Sequence, residues 1–571
     1  LASDARALAT WLAARDDVAL AAALAARGVS ASSGWHDFFD AAEGLLEPSS
    51  VDRALSRLAR GELIALAEGA TAPDGPAARL ALVDDSGRPF GAVRERLEVA
   101  AAAKPEAFQH AELPHEPSPA GPQAVAAAAE RAFTTAGSLA DVLLACLHAP
   151  LTRTGSGTVS AADRRRLTDA GAIAAPEDLD DLLASAEAAG LADARDREWA
   201  VTDAGQDWLQ TPTPQRWAHI ADGFRARLPS GLRTADGGII PPVAWPSAYP
   251  LDPDWPDRAA GLRRIAARWG LIGQDGSQFP WTEALRSGAP ADAAAIAEHL
   301  PAEIDRVYLQ ADLTAIAPGP LAPPLDLRLR SIAVRESRAQ ASTYRFTAES
   351  LGAGMTEGET ADSVREFLGA LSLTGIPQPL QYLIESTAAR HGMVRVRADE
   401  ASGRTVVESP DPALLETIAV DQSLRPLGLL PAEGALTSRV ARDAVYWTLA
   451  DARYPVVALD ESGAAQSVHR RVTIAQTVAA GTPAQTYARL IATLRGGHGT
   501  DGEAGWLERE LEQAVRARAE IMVVVRMPDG SERALTLEAA GLGGGRLRGR
   551  DRAADIERTL PVSSIVSVRA L

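Results

Sequence analysis

The chain has 571 residues, 46% of them hydrophobic and 23% charged, with a formal net charge of −18. At roughly 100–200 residues per domain this is material for several cores, which excludes disorder as the dominant state. No window reaches ~18 uninterrupted apolar residues, so a membrane span is excluded as well.

In chain order, residues 1 to about 70 read as helices, because Leu8, Leu12, Leu20 and Leu24 recur at helical spacing. Ser50 is expected to cap a further helix carrying Leu55 and Leu58, with Leu63 beyond it. Residues 71–76 form a turn-rich break, and five prolines within 104–122 mark a linker. The stripe Leu139, Val142, Leu143, Cys146 and Leu147 predicts a helix. A second starts at Ser160, with Asp163 three residues on, and carries Leu167. A third runs over 176–190, from a first-turn proline to a terminating glycine, with Leu179, Leu182, Leu183 and Ala186 on one side. Residues 191–201 then read as a two-stranded wing. Helix, helix, helix, wing is the order of a winged helix.

The segment 211–300 carries Trp217, Trp245, Trp255, Trp269 and Trp281 among prolines. These read as anchors that fix connectors onto a neighbour. Strands are expected at 307–309 and 344–346, and helices at 360–372 and 379–391, the second with Leu380, Leu383, Ile384 and Ala388 on one face. A strand follows at 393–397. The tail switches to period two, with strands at 521–525, 534–537, 546–548, 556–560 and 565–568. Turns at Pro528-Asp529-Gly530 and Gly543-Gly544-Gly545 complete the pattern of a small, strongly bent β-barrel.

Of the 57 basic residues one, Lys104, is a lysine and 56 are arginine. Lys104 lies in Ala103-Lys104-Pro105, with no glycine loop before it. A phosphate-binding loop needs its lysine beside Ser or Thr after a glycine-rich turn. A kinase strand lysine and a Schiff-base lysine are excluded on nearly the same ground. No ATP-driven motor is expected within this chain. The single cysteine, Cys146, excludes an intrachain disulfide and a cysteine-based zinc site. The opening residues, with Asp4 and Arg6, do not resemble a signal peptide, and a cytoplasmic location is expected.

Several motifs are more specific. They are Val307-Tyr308-Leu309-Gln310-Ala311-Asp312-Leu313-Thr314 followed by Pro318-Gly319, then Thr343-Tyr344-Arg345-Phe346-Thr347 with Ser350-Leu351. Next come Ile376-Pro377-Gln378-Pro379-Leu380, Tyr382-Leu383-Ile384 and Arg390-His391-Gly392. With them the chain resembles the N-terminal domain of XPB-type helicases, as found in stand-alone actinobacterial helicase-associated proteins. The tail, 521–571, is similar to a WYL-type domain, an Sm-like barrel, without the Trp-Tyr-Leu tripeptide that names it. In those helicases the domain precedes the motor, so the resemblance implies engagement of DNA or of partner proteins but not helicase activity.

The expected architecture is mainly α and multidomain, with a C-terminal small Sm-like β-barrel. A helical N-terminal domain (1–103) and a linker (104–125) precede a winged-helix-like domain (126–235) and a Trp/Pro-rich connector (236–300). An α+β XPB-N-like domain (301–465), a helical connector (466–520) and the WYL-like barrel (521–571) follow.

Candidate contacts to nucleic acid are all arginines. Arg546, Arg548, Arg550 and Arg552 are spaced by two, so on a strand they project from one side about 6.5–7 Å apart, close to phosphate spacing. Asp551 is the only acid among them. The alternative is a solvated hairpin edge. Arg164, Arg165 and Arg166 can touch phosphate or pair with the acidic helix beside them, and pairing is favoured. That third helix carries Glu177, Asp178, Asp180, Asp181 and Glu187 with no base, which disfavours a groove reader. Arg345 lies in Tyr344-Arg345-Phe346, which can stack a base but reads better as a strand with buried aromatics. His391 is expected to place charge at a helix C-terminus. Gly497-His498-Gly499-Thr500-Asp501-Gly502 matches a dinucleotide fingerprint by letter, yet follows a helix and reads as a loop.

No nucleophile, metal cluster or phosphate loop is assembled, so no enzyme, metal or cofactor is expected. The expected function is a non-catalytic nucleic-acid-binding accessory protein in DNA repair or transcription, with DNA as partner and no membrane. The alternative is a scaffold recruiting a separate helicase or polymerase. A ligand-responsive regulator acting through the barrel comes third.

Overall fold

The fold is that of a computed structural model describing residues 2–570 except 111–117, 196, 274, 339–340, 400–401, 461–462, 464, 467–472, 475–481, 499–501, 529 and 552–553. The chain forms two compact units, each discontinuous in sequence. The first comprises Leu1–Pro117, Pro229–Arg263 and Val478–Leu571; the second comprises Ser118–Leu228 and Arg264–Thr477. Among the described residues no helix is long and apolar enough to cross a membrane.

The first unit opens with the helices Ala2–Ala13, Asp17–Arg27, Phe38–Leu46, Pro48–Leu55 and Arg60–Glu68. Local chemistry sets their ends. Asp16 accepts from the Ala19 amide at 2.7 Å, and Asp37 from those of Phe39 and Asp40 at 2.9 Å. Gly28, at φ +64, closes the second helix in a conformation that strains other residues. The helix expected from Ser50 starts instead at Pro48. Proline at a first helical position loses no hydrogen bond, so it and not the serine sets the start.

Leu8, Leu12, Leu20 and Leu24 are buried, and a distant segment completes their core. Tyr487, Leu490, Ile491 and Leu494 of the helix Pro483–His498 pack into the same cluster. The Tyr487 hydroxyl donates to the Val29 carbonyl at 2.6 Å, and Arg495 reaches the Ala13 carbonyl at 2.8 Å and Asp17 at 3.0 Å. Part of the predicted connector is therefore core. Gly497, in the apparent dinucleotide fingerprint, ends this helix against the His36 carbonyl, where a Cβ would collide. Gly499–Asp501 lie outside the described residues, and the next helix starts at Gly502.

That next helix, Gly502–Ala517, buries Glu510, which is 3% exposed, with Arg6 at 3.9 Å. Its Oε2 has no hydrogen-bond partner among the described residues. Desolvation, offset only in part by Arg6, pushes this carboxyl above the ordinary glutamate range. A raised folded pKa favours the fold when the group is protonated, and that contribution is lost as pH rises through the folded value. Glu510→Gln should therefore raise the urea midpoint of this unit at pH 7. The gain should shrink as pH falls toward the ordinary glutamate value of about 4.3. A variant equal to the parent at pH 7 would show that water reaches the carboxylate.

The second unit begins with the long helix Pro122–His148, which contains the predicted 139–147 stripe. Ser160 caps Ala161–Asp169 through the Asp163 amide at 3.2 Å. Asp178–Ala188 follows, and Gly190 turns the chain at φ +73. The hairpin Ala192–Arg195 with Glu198–Val201 forms as expected. A third strand, Leu151–Thr152, pairs with Glu198–Val201. Two residues are too few for a periodic signal. Cys146 is buried here, its thiol donating to the Trp199 carbonyl at 3.0 Å, and burial pushes its pKa up to about 11.

All five tryptophans of the 211–300 segment are fully buried, and each indole N–H has a partner. In the first unit Trp255 donates to the Trp245 carbonyl at 2.7 Å and Trp245 to that of Ile240 at 3.0 Å. In the second, Trp217 donates to the Trp269 carbonyl at 2.8 Å, Trp281 to that of Gly270 at 2.8 Å, and Trp269 to Ser185 Oγ at 2.9 Å. The tryptophans are buried, but four of the five indole bonds stay within the segment and the fifth joins Trp269 to Ser185.

Residues from 304 form two sheet-centred lobes. The first sheet has the order Tyr308–Leu309, Thr314–Ala317, Ser342–Arg345, Val334–Arg338, antiparallel throughout. Helices Pro323–Ile332, Ala348–Thr356, Ala361–Leu371 and Gln378–Arg390 supply its core. The second, six-stranded, runs from Leu430–Ala432 through Ala435–Ser438, Arg404–Glu408, Val394–Asp399 and Val456–Leu459 to Ala465–Gln466. Its Val394–Asp399 and Val456–Leu459 strands are parallel. With the tail sheet, the described residues hold four sheets, so the expected mainly α protein is a mixed α/β one. Strands such as Ala435–Ser438 and Val456–Leu459 are too short to announce themselves by alternation.

Candidate nucleic-acid interface

The tail is a five-stranded antiparallel sheet ordered Ile556–Pro561, Arg546–Asp551, Glu532–Gly543, Glu520–Arg526, Ile565–Ala570. Each predicted strand is present. Gly544 and Gly545, at φ +59 and +69, make the tight turn that glycine permits. The expected closed barrel is not formed, because the outermost strands, Ile556–Pro561 and Ile565–Ala570, do not pair. A physical reason is at hand. The helix Gly502–Ala517 covers one face with Leu511 and Ala514, so Ile521, Val523, Leu537 and Leu547 are buried without the sheet closing on itself.

The opposite face carries the arginine row. Along Arg546–Asp551, Leu547, Gly549 and Asp551 are buried while Arg546, Arg548 and Arg550 are exposed. Asp551, the one acid of the row, therefore lies on the other face, where it accepts from Arg558 Nε at 2.9 Å. The three arginines are not equivalent. Arg550 holds Asp555 at 2.6 Å and is registered between Glu538 and Glu557. Arg548 lies between Gly541 and Thr559, and Arg546 between Gly543 and Pro561. Neither pairs with an acid among the described residues. Arg552 lies outside the described residues. Among the described residues the row thus offers two uncommitted guanidinium groups, which can fork onto phosphate oxygens.

The other candidates are engaged or scattered. Arg164 donates to Asp180 at 2.5 Å and to the Pro176 carbonyl at 2.7 Å, the pairing that the sequence favoured. Arg166 holds Asp163 at 2.9 Å, and Arg165 is exposed. The acidic helix is neutralised from its other side too. Both oxygens of Asp181 accept from Arg264 at 2.8 Å, and Arg268 meets Asp178 at 2.7 Å. These contacts explain a helix without bases: its carboxylates face arginines of neighbouring segments. Arg345 is held by Glu336, while Tyr344 and Phe346 are buried. Burial, then the Asp326 carboxylate to which it donates at 2.6 Å, pushes the Tyr344 phenol above its ordinary range. No stacking platform is presented there.

His391 ends the helix Gln378–Arg390, but burial pushes its imidazole below the ordinary value. Desolvation outweighs the helix-end attraction expected for a charged ring. It lines a cleft of about 830 Å³ between the two lobes, together with Gly352, Thr387 and Trp447. No sequence signal marked Trp447, because its partners come from three separate helices.

The two sheet-centred lobes and the tail sheet define a mixed α/β multidomain protein. Residues 307–432 match the family described as helicase conserved C-terminal domain. The match begins where the sequence motifs begin and spans the four-stranded lobe and part of the six-stranded one. No curated protein matches the chain.

Proposed function

We propose that this is a non-catalytic, nucleic-acid-binding accessory protein acting beside a separate motor in DNA repair or transcription. The helicase-related segment at 307–432 is the observation that carries this reading. The direction comes from the sequence motifs, whose resemblance to the N-terminal domain of XPB-type helicases implies a domain that engages DNA next to a motor. The helix–helix–helix–hairpin order at 122–201 supports a winged-helix-like unit that packs rather than reads a groove, since its acidic helix is met by arginines. The WYL-like tail supplies the contact, through Arg546 and Arg548.

The features that favoured a scaffold, the acidic helix and the tryptophan-rich segment, are taken up in packing within the units. Nucleic-acid binding is therefore preferred over recruitment of a protein partner.

The test is fluorescence anisotropy of labelled single-stranded, duplex and forked DNA, and of RNA, across a salt series. Each phosphate contact contributes roughly 0.7–0.9 to the log–log salt slope. The double variant Arg546→Ala/Arg548→Ala should reduce that slope by about 1.4–1.8. Arg550→Ala should change it little, because Asp555 and two flanking glutamates already neutralise it. An unchanged slope in the double variant removes the tail from the interface. No binding by the parent at low salt ends the accessory-binder reading.

A further inference from the structure

We propose that Arg53 and Arg57, backed by the buried Arg27, form a site for a phosphate group on the N-terminal helices of the first unit. The site stands apart from the tail arginines and does not depend on them.

Arg27 ends the helix Asp17–Arg27 and is 7% exposed. Its Nη1 donates to the Leu80 carbonyl at 3.0 Å, and its Nη2 donates to Ser50 Oγ at 2.8 Å and to the Leu45 carbonyl. Its Nε has no hydrogen-bond partner among the described residues. All of these partners are neutral. A buried guanidinium is ordinarily matched by a carboxylate, because an uncompensated buried charge is costly.

The charges that act on Arg27 are instead two more arginines. Ser50 and Arg53 lie three residues apart on the helix Pro48–Leu55, so they share a face. Arg57 follows in the turn after that helix and donates through Nη1 to the Ala26 carbonyl. Its Nη2 lies 2.8 Å from where a Cβ on Gly28 would stand, so the glycine makes room for it. Both arginines are exposed, and the Arg53 guanidinium has no partner among the described residues. The neighbouring Asp52 is taken by Arg96, at 2.8 and 2.7 Å. Burial, then Arg57, then Arg53 push the Arg27 pKa down to about 10.

Helix ends account for only part of this charge. The Ala26 and Leu45 carbonyls belong to the C-terminal turns of Asp17–Arg27 and Phe38–Leu46. Each such end carries roughly half an elementary negative charge, so the two offset about one of the three cations and leave a surplus of about two. The chain as a whole has a net charge of −18, yet no acid is placed here. A phosphate group, at about −1 in a diester and −1.5 to −2 in a monoester, matches that surplus. Its oxygens accept the forked donors of Arg53 and Arg57. Arg27, closed off from solvent, adds its field and no contact.

The experiment follows the urea midpoint of the first unit, in the full chain, in inorganic phosphate against chloride at matched ionic strength. Arg53 is exposed and unbonded, so changing it removes no contact of the fold. A ligand that binds the folded state raises the midpoint, so phosphate should raise that of the parent above its value in chloride. Phosphate also stabilises folded proteins by exclusion, and that part persists in every variant. Arg53→Gln should weaken phosphate about ten-fold and lose most of the excess, whereas Arg53→Lys keeps the charge and should retain most of it. An Arg53→Gln variant with the parent's phosphate response overturns the site. So does an Arg53→Lys variant that loses as much as Arg53→Gln, since charge is then not the cause. Two sources carry such a group, a nucleic-acid backbone and a small phosphorylated molecule. Anisotropy with a single-stranded decamer separates them. With the backbone as source, Arg53→Gln lowers the salt slope by about 0.7; an unchanged slope beside a lost phosphate response assigns the small molecule. A parent that binds no oligonucleotide but keeps the Arg53-dependent phosphate response ends the accessory-binder reading and leaves this site standing.

Discussion

Replacing Asp141 by alanine should destabilise the second unit by about 3–5 kcal/mol. Asp141 lies in the C-terminal half of the helix Pro122–His148 and is 3% exposed. It accepts from Arg330 at 2.7 Å and also from Arg335, which ties this helix to the four-stranded lobe. Asp326 stands 3.6 Å from Arg330 and 3.9 Å from Arg335, and accepts from Tyr344. Removing the shared carboxylate leaves two arginines, with side chains 18% and 15% exposed, facing one remaining acid. Most of the cost comes from those stranded charges rather than from the pair's own attraction. Neutralising the whole network, Asp141→Leu/Asp326→Asn/Arg330→Met/Arg335→Met, should therefore recover much of the loss, since no charge is left stranded. Urea denaturation of the full chain checks both. A loss below about 1 kcal/mol for Asp141→Ala would show that water screens the network.

The second large effect is expected at Trp269. It is fully buried, its indole donates to Ser185 Oγ at 2.9 Å, and its carbonyl accepts from Trp217 at 2.8 Å. Trp269→Ala should cost about 3–5 kcal/mol through the cavity and lost contacts. Trp269→Phe keeps most of the volume and should cost about 1 kcal/mol for the lost indole hydrogen bond, since the Ser185 hydroxyl keeps its own bond to the Asp181 carbonyl at 2.7 Å. Both read as a lower urea midpoint. Equal losses in the two variants would place the effect in the hydrogen bond and not in packing.

Residue types and spacing determined a good deal by themselves. The one lysine, Lys104, stands outside any glycine loop, so the residue that a conventional phosphate-binding loop needs at a defined place is not found among these 571. The tail strands were legible because Arg546–Asp551 alternates exposed arginine with buried Leu547 and Gly549, and period two survives any packing arrangement. The capped helix after Ser160 was legible because a serine side chain satisfies its own helix start. The motifs from Val307 onward lie within the residues that match the helicase C-terminal domain family, which supports a helicase-associated protein and not the finer reading of an XPB-type N-terminal domain.

Tertiary structure decided the rest, and in each case the reason is a partner far away in the chain. The acidity of Asp178–Ala188 is explained by Arg264 and Arg268, which no local window contains. The charge of His391 was misjudged because its burial is made by other segments. The four tail arginines looked equivalent, yet Asp555, Glu538 and Glu557 crowd Arg550 and leave Arg546 and Arg548 uncommitted. Whether the tail closes into a barrel depended on the helix Gly502–Ala517 lying across its apolar face. The cleft lined by His148, Gly352, Thr387 and Trp447 exists only where four helices converge. Sequence carries what a residue does to its own backbone and its near neighbours. Burial, charge pairing and concavity are properties of assembled surfaces, and they set which of the candidate residues remain available to a ligand.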